Sequence, residues 1–419
     1  MRTDSHRFCF FLASIAALTS LSIDMSLPSV PMIEREFNIP AGSGGLTMSF
    51  FLAGYALTPL IGGPLTDQLG RRTVLRNSLA VFALSALACS LSPSFGMLLF
   101  FRLLQGCAAG VATTLPITIV RDLFEGSVAR QRMSEIATIN GLMPLIAPVF
   151  GSMAMSLAGW RVLFGTQAIF AACVLLTLVR GFQESLPMER RRPLYPRAMF
   201  GNYVDLLRNR VFLTYALING LTFACVFSFI SDSPLILMQR MGISSAVYPV
   251  VFAVIALGGI LGSFVSSIFS HRVASPRSII SVGLSLMLMG SLASLAVHLS
   301  GQGRATTMVP LFILTLFGFG LIAPSVTLGA LEPLPNLAGS GSGALRSILM
   351  IGGSGASGFL ASYCGRHYAQ TEAAITLTMT ITTSLAVALY LNLLRPVVPR
   401  ERLYLGNAAV PATTSDTAS

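Results

Sequence analysis

Long apolar stretches alternate with short polar breaks along the whole chain. Twelve of them lie near residues 9–32, 44–65, 74–92, 97–119, 136–158, 161–180, 211–237, 246–269, 277–299, 308–331, 340–363 and 372–394. At a rise of ~1.5 Å per residue, each is about long enough to cross a ~30 Å hydrocarbon core as a helix. Barrel strands would alternate apolar and polar positions over ~10 residues. Stretches such as 78–90, 309–327 and 373–394 show no such alternation. In lipid every backbone polar group needs an internal partner, so runs of this kind fold as helices. The pattern predicts an all-α membrane protein with twelve transmembrane helices.

Composition agrees, and charge orients the spans. Only 10% of the 419 residues are charged and 53% are hydrophobic, against about 25% charged in a soluble domain. All 27 cationic residues are arginine. With the N-terminus inside, 20 of them fall in inner segments and five in outer ones, while Arg102 and Arg346 lie within spans. An excess of arginine on one side marks the cytoplasm. Both termini are therefore expected there, in a multi-pass protein of an inner (plasma) membrane. The formal charge of +11 reports topology and contact with anionic lipid, and no nucleic-acid partner is expected. The six cysteines are scattered without a CxxC pair, and the four histidines lie in tails, loops or span ends. Neither set predicts a disulfide, a metal site or a histidine relay. With no nucleophile–histidine set or phosphate-binding loop, an enzyme is not expected.

Arg2 and Arg7 precede an apolar run in the manner of a signal peptide. The run continues past Asp24, however, and reads as a retained first span. The longest polar interruption, 181–210, contains Arg190, Arg191, Arg192 and Pro193 and separates two sets of six spans. The expected organisation is a six-helix bundle over 1–180, a cytoplasmic connector over 181–210, a second six-helix bundle over 211–395 and a disordered cytoplasmic tail over 396–419. Two six-helix halves around a midplane site is the plan of many secondary transporters.

Only the first span carries an acidic residue well inside it, Asp24. A charge at the bilayer centre costs ~2.5–3.5 kcal/mol on insertion scales, so a carboxylate persists there when something pairs with it or titrates it. Helical rise puts Asp24 about 22 Å above the inner end of its span and Arg102 ~8 Å from the outer end of the fourth, at similar depth. The two are expected to meet or to feel each other's field. Burial favours the neutral acid and a nearby guanidinium favours the carboxylate, so a balanced group changes protonation with its surroundings. A structural Asp permanently paired with one arginine is the plain alternative.

After the second span comes Gly63-Pro64-Leu65-Thr66-Asp67-Gln68-Leu69-Gly70-Arg71-Arg72. Gly63 would allow another helix to approach closely, and Gly70 can turn the chain. Asp67 would accept from an arginine of a neighbouring span, making a latch that breaks when the halves rock. The stretch resembles the GxLxDxxGRR signature of the major facilitator superfamily, with Gln68 where that family usually has a basic residue. Residues 98–106 (LLFFRLLQG) resemble the family's span 4 motif, with Arg102 as its intramembrane arginine. Gly141, Pro144, Pro148 and Gly151 resemble its span 5 antiporter motif, with Ala147 in place of a glycine. Residues 23–31 (IDMSLPSVP) are similar to the span 1 stretch of the bicyclomycin and chloramphenicol/florfenicol resistance (Bcr/CflA) branch, with Ser26 for a tyrosine. Residues 227–234 (FSFISDSP) and 338–345 (AGSGSGAL) also resemble that branch.

The resemblance implies the major facilitator fold and proton-coupled export of small amphipathic antibiotics such as phenicols or bicyclomycin. Asp24 is then the proton-coupling carboxylate, and Arg102 donates to substrate or to ionised Asp24. The partners are drug, protons and membrane lipid, with a proton gradient in place of any cofactor, no metal, and a monomer expected. Tyr55, Asn219, Phe223 and Phe227 are candidate pocket-lining residues, with ordinary helix packing the plainer reading for any one of them. Pro28, Pro31, Pro144 and Pro148 are candidate bends. Asp232 and Arg346 depart from the branch. Roughly 30 Å along its span, Asp232 reads as a solvated vestibule carboxylate, with a second proton site as the alternative. Arg346, about 9 Å inside the cytoplasmic end, reads as a snorkelling cation, with a substrate or pairing contact as the alternative. Competing functions are export of a metabolite such as a siderophore or amino acid, and a membrane sensor that does not transport. The topology is testable with alkaline phosphatase fusions. Fusions after Asn38 or Ser94 are expected to be active and those after Glu125 or Arg208 inactive; activity after Glu125 would reverse the orientation.

Overall fold

A computed structural model describes residues 6–191, 196–272, 276–334, 337–364, 366–367 and 371–394. Every regular element among them is helical. The first span is built from α1 (His6–Ala16), α2 (Leu18–Asp24) and α3 (Val30–Glu36), and the second from α4 (Leu46–Leu57) and α5 (Pro59–Leu69). Then follow α6 (Arg71–Ser90), α7 (Phe95–Ala112) with α8 (Leu115–Leu123), α9 (Gly126–Ala158) and α10 (Trp160–Gly181). The second half holds α12 (Arg210–Pro234), α13 (Tyr248–Arg272), α14 (Pro276–Leu299), α15 (Ala305–Leu331), α16 (Ala338–Cys364) and α17 (Thr371–Leu389). Ten helices among the described residues are long and apolar enough to span, and two bent pairs bring the total to twelve. The polar connector contains a helix of its own, α11 (Pro196–Arg208). Its Tyr203 hydroxyl donates to the Leu60 carbonyl of the second span at 2.6 Å. The tail over 396–419 lies outside the described residues, as do Arg192 and Pro193.

In the first half α4 packs on α7, and α6 on α7 and α10; in the second α15 packs on α13 and α14, and α12 on α15, α16 and α17. The halves meet along α4–α16 and α9–α13. Lipid supplies no hydrophobic drive between helices, so small residues that let backbones approach carry the packing. Gly54 lies against the Leu103 carbonyl, Gly106 against the Phe51 carbonyl, and Gly110 against Thr58 and the Tyr55 carbonyl, with no room for a Cβ at any of them. Gly63, expected to make such an approach, faces open space. The close contact of the second span is made instead by α4, on the side turned to α7.

The sharp breaks also fall elsewhere than the sequence suggests. The first span bends by 45° at Ala17 and the second by 47° at Thr58. At the first, Ser14 and Ser22 hydroxyls bond back to the Phe10 and Leu18 carbonyls at 2.8 and 2.7 Å, a geometry that bends helices. At the second, Pro59 opens a new helix, where its fixed φ and missing N–H suit the first turn. Pro28 sits in a short 3-10 turn and Pro31 in the first turn of α3. Helix α9 runs unbroken through Pro144 and Pro148. Substituting Gly106 by Val forces a side chain into the Phe51 carbonyl and should cost at least the ~1–3 kcal/mol of an overpacked core. Thermal unfolding in detergent should show a lowered Tm for Gly106→Val and none for Gly63→Ala; equal values would contradict this packing.

Candidate functional site

Asp24 closes α2, just before a 3-10 turn over Leu27–Ser29. The backbone carbonyls freed by that irregularity are met locally: Ser26 bonds to the Ser22 and Ile23 carbonyls at 2.6 and 3.1 Å, and Ser29 to that of Ser26 at 2.6 Å. Asp24 itself is 6% exposed. Among the described residues its carboxylate has no ion pair and accepts no hydrogen bond. It borders a cavity of about 380 Å³ between the halves, walled by Gly141 and Pro144 of α9, Phe229 of α12, Phe252 of α13 and Phe319 of α15. Pro148 is buried one turn further on, and Gly151 presses on the Met25 carbonyl. The span 5 motif thus packs directly on the Asp24 segment.

Arg102 does not meet Asp24. It is fully enclosed, and its donors go to neutral acceptors. Nε reaches the Thr47 carbonyl at 3.1 Å, Nη1 the Ser22 carbonyl at 3.2 Å and Gln105 Oε1 at 2.9 Å, and Nη2 the Met48 sulfur at 3.4 Å. Phe51 and Phe164 cover the guanidinium, with ring centroids 4.6 and 5.5 Å away, a favourable cation–π placement. The depth match from the sequence is met, but the guanidinium turns to backbone oxygens of the first two spans rather than to the carboxylate. Two further residues complete the arrangement. Gln105 donates to Gln167 Oε1 at 2.8 Å, and Gln167 donates to the Leu21 carbonyl at 3.3 Å. Spans 1, 2, 4 and 6 are thereby tied to the segment that carries Asp24. Gln167 escaped the sequence reading, although a lone amide in an apolar span was the available signal.

The loop motif also differs from its expected form. Asp67, near the end of α5, pairs at 2.5 Å with Arg71, which opens α6 four residues on, so the bond stays within the first half. Arg71 then reaches Asp122 at the end of α8 at 3.0 Å and Thr66 Oγ1 at 2.9 Å. Gly70 adopts φ 89°, which aims the next two backbone N–H groups at Glu184, at 2.8 and 3.1 Å from Arg71 and Arg72. Arg72 also donates to the Val179 carbonyl at 3.0 Å. This network joins spans 2, 3, 4 and 6 of one half and does not cross to the other. Asp122 and Glu184 are the acidic members that sequence spacing missed.

None of the four candidate lining residues borders the Asp24 cavity. Tyr55 is buried, its hydroxyl shared with Thr113 Oγ1 at 2.8 Å. Asn219 and Phe227 are buried in α12. Phe223 stacks on Phe227 at 5.4 Å and lies 6.2 Å from Phe319, behind the cavity wall. Arg346 is exposed but turns to the first half, with its guanidinium 5.8 Å from the Tyr55 ring centroid. Asp232 is 2% exposed, so it is not a solvated vestibule group. The helix continues past it as a π-helix over Leu235–Arg240, and the turn around Gly45 covers it.

The sequence model of the Major Facilitator Superfamily matches residues 12–357. Multidrug resistance protein MdtL of Escherichia coli O157:H7 is 28% identical over 410 residues, covering 95% of this chain and 99% of that protein. The uncharacterized MFS-type transporter YdgK of Bacillus subtilis (strain 168) is 30% identical over 347 residues, 82% and 86% of the two chains. In fold the chain is similar to a bacterial homologue of the human lysosomal transporter Spinster in an inward-facing and occupied conformation, with TM-score 0.72, 16% identity and coverage of 93% and 97%. A D-xylose-proton symporter gives TM-score 0.69 at 14% identity, over 91% of this chain and 97% of that one. The amide relay itself is testable: Gln167→Ala leaves the buried Gln105 amide unpaired, a loss of about 1–3 kcal/mol. Because the two amides share one bond, Gln105→Ala and Gln167→Ala should be non-additive in thermal unfolding; strictly additive effects would show that the relay does not act as a unit.

Proposed function

The chain belongs to the major facilitator superfamily, and from that premise we propose that it is a drug:proton antiporter of the Bcr/CflA type in an inner membrane, exporting small amphipathic antibiotics such as phenicols or bicyclomycin. The observation that carries this reading is Asp24, a buried carboxylate with neither ion pair nor hydrogen bond among the described residues, bordering a cavity between the two halves. A group so placed is sensitive to whatever fills the cavity. With the cytoplasmic side open, substrate binding favours loss of the proton from Asp24. With the outer side open, protonation of Asp24 favours release of the substrate. Acid outside and negative potential inside drive the cycle, the potential contributing ~2.3 kcal/mol per charge per 100 mV.

The wall supports an amphipathic substrate. Phe229, Phe252 and Phe319 supply apolar and aromatic surface around Asp24 and the Ser263 hydroxyl, the usual make-up of a small-molecule pocket. The name of MdtL, a multidrug resistance protein that matches nearly end to end, favours drugs over a metabolite. Arg102 has a positioning role: it fixes the Ser22 carbonyl two residues before Asp24 and so sets where the carboxylate stands. The Asp67–Arg71–Asp122 network and Glu184 keep the first half rigid as it rocks. In inside-out vesicles with an acid lumen, phenicols or bicyclomycin should trigger proton efflux reported by a pH-sensitive dye. Asp24→Asn should reduce that flux to background while leaving membrane insertion unchanged. Undiminished drug-coupled flux in Asp24→Asn would sink the assignment.

A further inference from the structure

At the outer end of the interface, away from the arginine-rich loops, carboxylates from the two halves converge on one turn. Glu34 of α3 is 4% exposed. Its Oε1 accepts the N–H groups of Gly42 and Gly44 at 2.7 and 3.0 Å, and its Oε2 accepts from Gln239 of the second half at 3.2 Å. Asp232 of α12 abuts the next residue of the same turn: a Cβ on Gly45 would lie 3.4 Å from its Oδ1. Only its Oδ2 is hydrogen-bonded, by the Ser231 hydroxyl at 2.6 Å. Gly42, at φ 91°, seats the turn so tightly on the second half that a Cβ there would stand 2.7 Å from that of Cys364. The seal continues inward through Ser49, which meets Ser357 at 2.8 Å and accepts from Ser354 at its carbonyl at 2.9 Å.

Among the described residues neither acid forms an ion pair. On the same end, Arg161 is held by Glu36 at 2.6 Å, and Arg240 and His298 are both held by Glu372, at 3.3 and 3.1 Å. Arg35, beside Glu34 in sequence, is exposed. The other titratable groups packed here are Cys364 of α16, next to Gly42, and Tyr248 of α13, whose hydroxyl is shared with Ser233 at 2.8 Å. Neither supplies positive charge. Two buried carboxylates without cation partners that seat the same turn repel each other when both are charged.

We propose that Glu34 and Asp232 form a second proton-binding site, which operates the outer gate. Protonated, the pair lets the turn over residues 42–45 and α12 stay packed; deprotonated, it drives the halves apart until water reaches the acids. The sign follows directly: the closed state binds more protons, so closure is complete at low outer pH and is lost as pH rises. The proton returns to the side it came from, so this site senses outer pH and is not the coupled proton. The inference needs the halves to rock but does not need the role given to Asp24.

The test is pulsed spin-label distance measurement across the gate in lipid nanodiscs. Labels go on Asn38→Cys and Ser245→Cys, both exposed and on opposite halves, in the full chain with its six native cysteines replaced by alanine. A short distance is expected in acid, with a longer population growing at alkaline pH, the open:closed ratio changing by up to about tenfold per pH unit for one proton. Asp232→Asn, which still accepts from Ser231, should hold the short distance at every pH; Asp232→Ala should do the same without an acid or amide. Retention of the wild-type pH response in both variants overturns the proposal, as does opening in acid. The Asp24→Asn chain separates the two readings: its gate should still respond to pH. A response lost there but kept in Asp232→Asn would place the titrating group in the cavity and end the inference.

Discussion

Arg102 brings a full positive charge to membrane depth and satisfies it without a carboxylate. Its donors go to the Thr47 and Ser22 carbonyls, to Gln105 and to the Met48 sulfur, under the rings of Phe51 and Phe164. Had it paired with Asp24, the pair would have held the acid ionised, and breaking a buried pair costs several kcal/mol, on the order of 3–5. Spending the guanidinium on backbone oxygens instead anchors the irregular first span and leaves the carboxylate uncommitted. The rest of the site follows from that choice. Serines 22, 26 and 29 satisfy the carbonyls of the bent segment, the amide relay through Gln105 and Gln167 fixes its position, and Gly151 of α9 closes on Met25.

The distribution of bonds between and within halves has a mechanical meaning. Within the first half, charged groups form a connected network at the loops of one end, from Asp67 through Arg71 to Asp122 and Glu184. Across the halves, the side-chain bonds among the described residues are mostly neutral: hydroxyl to hydroxyl at Ser49–Ser357 and hydroxyl to carbonyl at Ser354, with Tyr203 of the connector helix adding one more to Leu60. Neutral bonds of this kind contribute only about 0.5–1.5 kcal/mol net each. Strong ties inside a half and weak ones between halves are what rigid-body rocking requires. Glu34, bridged to Gln239, is the acid in that otherwise neutral seam, with Asp232 beside it.

Much of this architecture was legible in the chain. Span number follows from apolar run length, because lipid leaves the backbone no alternative to helices. The shared level of Asp24 and Arg102 was met as well, Arg102 bonding the carbonyl two residues before Asp24, since helical rise converts sequence position to height directly. What rise does not give is azimuth, the direction in which a side chain leaves its helix. Arg102 therefore turned out to face backbone, Gly63 to face open space, and Asp232 to be buried under the 42–45 turn. The bend at Ala17 has no proline or glycine to announce it. It accompanies serine hydroxyls on both sides, and serine back-bonding cannot be told from ordinary serines by spacing alone. The loop motif's aspartate did meet an arginine of the next helix, but that arginine lies only four residues on, so the bond ties one half together and does not latch the two halves.

The central claim is that Asp24 holds a proton which substrate displaces. Infrared difference spectroscopy of the protein in lipid reads this directly, as the loss of a protonated-carboxyl band when a phenicol or bicyclomycin is added. The account predicts a substrate-induced loss of that band in the unmodified chain and in Asp232→Asn, and its absence in Asp24→Asn. A band loss of the same size in Asp24→Asn, or none in the unmodified chain under conditions where the drug binds, would contradict it.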